Sequence, residues 1–546
     1  MLAGLMQAMP LQISGIIRFA AKAHGDRKIV SRLVDEPTHH YGWADCEQRA
    51  RKAAQALQRI GILPGDRVTS LAWNTHRHLE LFYAVPGIGA VLHTANPRLS
   101  DDQIVYTINH AGSSVLVFER SFVELVTRLR PRLKHIRHFI LLSDDARLDP
   151  TFAGAVSYEM LIAAEIGDLK WPSFDENTGA ILCYTSGTTG DPKGVLYSHR
   201  SIVLHALAAG LSGAFGFTAF DVIMPCSSLY HATAWGLPFT AALNGCKLVL
   251  PCDKFDGASL QELIRSEGVT FSGGVPTIWT MYLAHLERSG EDAGALKQLI
   301  IGGSAVPRAM AETFERRYGV TVRQIWGMTE TSPLGVISTP TPKLTAEPQD
   351  FVDETIWTRQ GRLQFGIELR IIDEAGQELQ WDGESSGALQ VRGPWVVDRY
   401  FPDIPAAGSD GWFDTGDIAT IDQYGFVRLT DRAKDIIKSG GEWISSIDIE
   451  NAASACPGMR IAAVVGVEHP RWDERPILIV EPHEGEMLTV SAVRAYLEPL
   501  LVRWWMPDAI IIEPVPLTAT GKIDKKAIRT RYQSLFSGAR AIPSCI

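Results

Sequence analysis

The stretch Ala180-Ile-Leu-Cys-Tyr-Thr-Ser-Gly-Thr-Thr-Gly-Asp-Pro-Lys-Gly194 decides how this chain is read. It opens as an apolar run of strand type. It then turns into a loop carrying Gly187, Gly190 and Gly194, the hydroxyls of Thr185, Ser186, Thr188 and Thr189, and Lys193. A helix-like run, HRSIVLHALAAG (199–210), follows. Glycines let the backbone turn tightly and aim N–H groups at an anion; hydroxyls add donors and a lysine adds charge. Together these cradle a phosphate. A Gly/Ser/Thr-rich segment is also the composition of a plain surface loop. The strand before and the helix after favour the cradle. It is not a Walker A loop, because Gly187 is followed five residues later by Pro192 rather than by Gly-Lys-Ser/Thr.

On both sides of this loop, up to about residue 430, short apolar runs alternate with helical stretches. RVTSLAW (67–73), SVLVFE (114–119), HFILLS (138–143), KLVLPC (247–252) and QLIIGG (298–303) read as buried parallel strands with helices on both faces. From about 360 the texture changes. ELRIID (368–373), GALQVRG (387–393) and GFVRLTD (425–431) are separated by turns bearing Gly and Asp, as in a small antiparallel, β-barrel-like subdomain. AAVVGVE (462–468), ILIVEP (477–482) and a helix from Val490 make a last compact α+β unit. The expected architecture is thus α/β plus α+β: a large body over 1–433 with its β-rich part at about 360–431, a joint at Lys434, and a small mobile domain over 435–546.

Length and composition set the outer limits. The chain has 546 residues, 46% hydrophobic and 21% charged, which excludes wholesale disorder, collagen and coiled coil. Its net charge of −10 disfavours general nucleic-acid binding, so no nucleic-acid partner is expected. Seven scattered cysteines without a C-x-x-C pair point away from a disulfide framework or zinc site and toward a reducing cytoplasm. The N-terminal segment lacks a basic leader, so no signal peptide is read. The uncharged run Ser201–Phe220, with His205 and three glycines, reads as a buried helix entering a loop rather than a membrane span.

The string Tyr184–Gly194 resembles, nearly letter for letter, the phosphate loop of the adenylate-forming superfamily: acyl-CoA synthetases, peptide-synthetase adenylation domains and luciferases. Further matches follow in the superfamily's order. Gly302-Gly303-Ser304-Ala305 resembles the segment lining the adenine. Gln324-Ile-Trp-Gly-Met-Thr-Glu330 resembles the motif in which the aromatic, here Trp326, packs near adenine and acyl group, flanked by Gly327 and Met328. In that motif Thr329 meets the α-phosphate and Glu330 holds Mg²⁺, with Thr185 as a second oxygen donor. Magnesium suits such a site because it takes few protein oxygens and keeps waters and phosphate oxygens. Alone, Glu330 would read as a solvated carboxylate. Trp412–Asp417 resembles the motif whose last aspartate accepts both ribose hydroxyls, a task for an acceptor-only carboxylate. Asp431-Arg-Ala-Lys-Asp435 resembles the hinge, with Arg432 on the ribose and Lys434 at the pivot. Pro516–Lys522 resembles the C-terminal motif of the catalytic lysine.

The resemblance implies two half-reactions. A carboxylate attacks the α-phosphorus of ATP, giving acyl-adenylate and pyrophosphate; a thiol then displaces AMP. Positioning and charge neutralisation carry the first, which Lys522 serves. For the second, the small domain swings about Lys434. It withdraws Lys522 and presents Lys438 and Gly440-Gly441-Glu442-Trp443, which would bind CoA. A plain turn at Gly440-Gly441 is the other reading. CoA is favoured over a tethered carrier because KSGGEW resembles CoA-using members.

Ser228–Gly236 (SLYHATAWG) looks like the acyl-pocket segment. His231 would stand between the ATP and acyl sites, though an isolated histidine is more often structural. Trp235 is a pocket wall or a core aromatic. With Gly302, Trp326, Pro333 and Leu334 it implies an apolar, limited cavity. Residues 72–100 and H-x-x-A-W-G together resemble the bacterial medium-chain acyl-CoA synthetase branch, closest to 3-methylmercaptopropionate–CoA ligases. A thioether in an aromatic-walled pocket is mildly favourable, so that short sulfur acid is expected, with a general short- or medium-chain fatty acid as rival. A non-catalytic nucleotide-binding relative is the alternative of another class, and a homodimer the assembly expected by analogy.

Overall fold

The computed structural model describes residues 2, 4–144, 152, 154–185, 191–304, 306–432, 435–440, 442–518 and 522–536, with residues 442 and 443 described by backbone only. Among these, three sheets organise the chain. In the first, the strands Ala155–Ser157, His138–Leu141, Val115–Phe118, Arg67–Leu71, Val91–Thr94 and Gly179–Tyr184 run parallel in that order, and Gly194–Ser198 closes it antiparallel. Val115–Phe118 is buried at every position and Gly179–Tyr184 at every position after the first, as expected of strands covered on both faces.

The second sheet is longer. Its parallel half passes through Lys28–Ser31, Lys247–Leu250, Val222–Pro225, Phe271–Gly274, Gln298–Gly302 and Thr321–Trp326. It continues, now antiparallel, through Val336–Ile337, Gly361–Leu363, Phe426–Arg432, Phe413–Ile421, Gly387–Arg392 and Glu368–Ile372. The stretch expected as a small barrel-like unit is therefore hydrogen-bonded onto the edge of the parallel sheet. The switch of direction falls at Trp326, paired with Val336. The third sheet is built wholly from residues 437–512, around the long hairpin Met459–His469 and Asp473–Pro482, and has its own core of Ile437, Ile449, Val464, Leu478 and Val493.

Local chemistry sets the boundaries near the loop quoted above. Ser198 caps the helix His199–Gly210 by accepting the Ser201 N–H at 3.0 Å. That helix ends where the uncharged run continues into turns, and no described helix is long and apolar enough to cross a membrane. The six described cysteines are free and buried. In both parallel sheets the loops that matter leave the carboxyl ends of strands, where ligands bind in open α/β folds.

Candidate active site

The strand Gly179–Tyr184 delivers the neck of the glycine loop. The Thr185 N–H donates to the Lys193 carbonyl at 2.9 Å, and the Lys193 N–H donates to Thr185 Oγ1 at 3.2 Å. Ser186, Gly187, Thr188, Thr189 and Gly190 lie outside the described residues, as do Ala305, Lys434 and Gly441. The Lys193 ammonium stands 4.7 Å from the centre of the Tyr400 ring, and the Tyr400 hydroxyl donates to Glu330 Oε1 at 2.9 Å. A second tyrosine, Tyr197, donates to the Thr329 carbonyl at 2.6 Å. The turn Thr329–Thr331 is thus pinned from the adjoining sheet.

Two strands of the large sheet end at the same place. Gln298–Gly302 runs into Gly303, whose φ of +88° is natural only for glycine; a Cβ there would lie 3.8 Å from Lys522 Cε. Ser304 beside it is exposed. Thr321–Trp326 runs into Gly327, packed so tightly that a Cβ would stand 1.4 Å from the Pro333 carbonyl oxygen. Met328, half-buried, leads into Thr329 and Glu330, which are buried. Burial pushes the Glu330 carboxyl up, and the Tyr400 hydroxyl, Arg432 and Lys193 oppose that. Among the described residues Glu330 has no ion-pair partner. A buried carboxylate that accepts a tyrosine hydroxyl on Oε1 and follows Thr329 in the chain is a hard oxygen donor of the kind that suits a divalent ion such as Mg²⁺.

The antiparallel half contributes Asp417 and Arg432, opposite each other across neighbouring strands. Asp417 is buried; Oδ1 pairs with Arg432 Nε at 2.7 Å and Oδ2 accepts the Trp326 indole N–H at 2.8 Å. Burial raises the Asp417 carboxyl, countered first by Arg432 and then by the indole. Into this group comes Lys522 from the third sheet's side of the molecule. Burial lowers its pKa to about 8, with Arg432 adding to the shift and Asp417 and Glu330 opposing it. Its backbone N–H donates to Thr518 Oγ1, while its ammonium makes no hydrogen bond or ion pair with a described residue. His231 is held near pKa 4 by burial, reinforced by the Lys522 charge, so it faces the site as a neutral imidazole.

The segment after His231 forms the next wall. Ala232, Thr233, Ala234 and Trp235 all have positive φ (40°, 47°, 50°, 58°), followed by Gly236 at 73°. Trp235 is buried, and Gly273 lies against its ring, where a Cβ would sit 3.6 Å away. His205 packs on Gly236 and accepts the Leu334 N–H at 3.3 Å; Trp395 donates to the Leu334 carbonyl at 2.9 Å. Leu334 and Pro333 are therefore fixed by two aromatic side chains from elsewhere in the chain.

The sequence matches the AMP-binding enzyme family over residues 17–401 and the AMP-binding enzyme C-terminal domain over residues 448–522. This chain belongs to the AMP-binding enzyme family. It is 44% identical over 543 residues to the 3-methylmercaptopropionyl-CoA ligase of Ruegeria lacuscaerulensis, covering 98% of this chain and 100% of that protein. It is 43% identical over 538 residues to the medium-chain-fatty-acid–CoA ligase of Ectopseudomonas oleovorans, covering 98% of each. An anthranilate CoA ligase in complex with anthranoyl-AMP shares the fold, with TM-score 0.86 at 20% identity over 98% of this chain and 100% of that one.

In this AMP-binding enzyme the described structure gathers Thr185, Lys193, Gly303, Trp326, Thr329, Glu330, Asp417, Arg432, His231 and Lys522. It leaves the CoA candidates apart. Lys438 and Gly440 belong to the third sheet, where Lys438 N–H donates to Glu474 and Gly440 packs against Trp472 and Trp504. Glu442 and Trp443 lie on the strand Glu442–Ile444 of that sheet. Sequence reasoning did not single out Tyr400, Tyr197, His205 or Trp395. Each acts on a motif residue from 61 to 132 positions away, so only the sheet topology brings them in.

Proposed function

We propose that this chain joins 3-methylmercaptopropionate to coenzyme A, driven by cleavage of ATP to AMP and pyrophosphate. The class of reaction is ATP- and Mg²⁺-dependent acid–CoA ligation by way of an acyl-adenylate. The observation that carries the site assignment is the entry of Lys522, from the far end of the chain, among Glu330, Asp417 and Arg432. A cation that no described residue binds, set beside a ribose-type carboxylate and a metal-type carboxylate, supports neutralisation of an α-phosphate and an attacking carboxylate together.

In the first half-reaction the acid's carboxylate oxygen bonds to the α-phosphorus and the bond to pyrophosphate breaks. Lys522 neutralises the two anions as they meet; the glycine loop with Lys193 holds the outgoing pyrophosphate; Asp417 and Arg432 hold the ribose. Glu330 and Thr185 would hold Mg²⁺, which when bound offsets phosphate charge. His231, neutral, can accept or donate one hydrogen bond at the acyl end without adding charge. In the second half-reaction the CoA thiol sulfur bonds to the acyl carbon, AMP leaves, and the thiol proton is released. For that step we propose division into a body over 1–433 and a domain over 435–546 that turns at Lys434. The turn brings Lys438 and Gly440–Trp443 to the acyl end.

The relative at 44% identity supports this acid, and Trp235 and Trp326, both buried, are aromatic rings of the kind a short thioether favours. A medium-chain fatty acid is the second reading, favoured by the 43% identity to the medium-chain ligase. The test is AMP release, with and without CoA, from a panel of straight-chain acids and their thioether isosteres. 3-Methylmercaptopropionate should give the highest kcat/KM; a maximum at a longer alkyl acid would select the second reading. Absence of CoA-dependent AMP release with every acid would remove the ligase reading. We place the enzyme in the cytoplasm, in keeping with six free buried cysteines. We take it as a homodimer by analogy with the superfamily; light scattering at twice the 60.0 kDa chain mass would test that.

A further inference from the structure

We propose that Trp326 positions the ribose-binding carboxylate: its indole N–H fixes Asp417 so that the carboxylate is left with two free acceptor positions for a vicinal diol. The inference rests on the reading of Asp417 as the ribose ligand and assigns the group that orients it.

A carboxylate has about four acceptor positions, two on each oxygen. Arg432 Nε occupies one on Oδ1 at 2.7 Å and Trp326 Nε1 occupies one on Oδ2 at 2.8 Å. One position per oxygen remains, matching the two adjacent hydroxyls of a ribose. Asp417 is 2% exposed, so water does little to hold its orientation or its charge. A donor on each oxygen does both.

The indole is itself held. Trp326 is the last residue of its strand; it pairs with Val336, and its carbonyl accepts the Gly335 N–H at 3.1 Å. Gly335 lies directly on the ring, so that a Cβ there would stand 2.6 Å from Cε3 and from Cζ3. Glycine at 335 is what lets the backbone pack this closely on the benzo edge of the ring, at Cε3 and Cζ3. Phenylalanine would keep a ring and lose the donor. Tyrosine would carry its hydroxyl at the far end of the ring, away from the Nε1 position. Gly335 follows Leu334 of the acyl wall, so one side chain ties that wall to the nucleotide's ribose.

The test uses the full-length enzyme with two replacements at this position: Trp326→Phe, and 3-benzothienylalanine introduced site-specifically, which keeps the bicyclic shape and puts sulfur where the N–H was. AMP, 2′-deoxy-AMP and 3′-deoxy-AMP are titrated by calorimetry. Wild type should prefer AMP over each deoxynucleotide by about tenfold or more. In both variants AMP binding should weaken about tenfold and deoxynucleotide binding less than about threefold, so the preference collapses. A preference equal to wild type in the benzothienyl variant would overturn the proposal. So would an equal loss for all three nucleotides, which is the mark of ring packing alone. The benzothienyl variant keeps the question answerable if the phenylalanine variant fails to fold. Failure of the ligase reading would register separately, as wild type that binds AMP without CoA-dependent AMP release.

Discussion

Two parts of the site meet the same anions in opposite ways. Along the large sheet the described groups hold one another: Asp417 has Arg432 and Trp326, Glu330 has Tyr400, and the Thr329 turn has Tyr197. Lys522, which follows the third sheet in the chain, reaches in with an ammonium that no described residue binds, and burial, with Arg432 nearby, lowers its pKa to about 8. Lys522 carries a buried charge that Asp417 and Glu330 favour and burial and Arg432 oppose, which suits the withdrawal proposed for it in the second half-reaction.

The largest expected effect breaks the comparison at Lys522. Lys522→Ala should slow pyrophosphate release by about 10²–10³-fold, the loss typical of one preorganised transition-state donor. Acyl-CoA formation from supplied acyl-adenylate should stay close to wild type. Equal loss in both half-reactions would place Lys522 with the groups along the large sheet. The pH dependence gives the next effect. In the proposed reaction Lys522 acts as the ammonium; burial holds its pKa below the ordinary lysine value, so its charge is lost as pH rises through about 8. The kcat/KM of adenylation should therefore fall about tenfold per pH unit above 8. The second half-reaction, from acyl-adenylate, should lack that limb.

Tyr400→Phe removes the hydrogen bond to Glu330 and keeps the ring over which Lys193 sits. The Mg²⁺ midpoint and the KM for ATP should rise about tenfold, with the KM for the acid unchanged. A change in the acid's KM instead would show that Tyr400 does not act through Glu330. The smallest effect concerns the wall. Trp235→Ala should shift the optimum toward longer acids by about fivefold in relative kcat/KM. An unchanged chain-length profile would return Trp235 to the core.

The loop at 184–194 and the motifs ending in Glu330, Asp417 and Lys522 were legible because each packs its chemistry into a short run. The alternation of apolar runs likewise gave both parallel sheets. What was not legible is what needs two distant strands at once. Tyr400 sits in a two-residue strand with no local signature, yet it holds Glu330 from 70 positions away. The antiparallel unit at 361–432 read as a small barrel-like subdomain of the large body because its turns resemble those of any small β unit. Its attachment is decided by the pairings of Val336 with Trp326 and with Leu363. Nor did Trp326 read as a donor to Asp417, because that contact needs the two strands folded together, although tryptophan is the one aromatic with an indole N–H.

The run Ala232–Trp235 places four L-residues in succession in the left-handed region before Gly236. Each such residue costs about 1–2 kcal/mol relative to ordinary backbone, so the surrounding core must impose the turn. If the proposed acyl site lies against this turn, its size is set by main-chain handedness as well as by side-chain bulk. Glycine at Ala232 or Ala234 would relieve the turn and let it relax into other shapes. Such a variant should melt no lower than wild type and accept a wider range of acids, the outcome expected if selectivity is kept by holding the backbone where it would not rest.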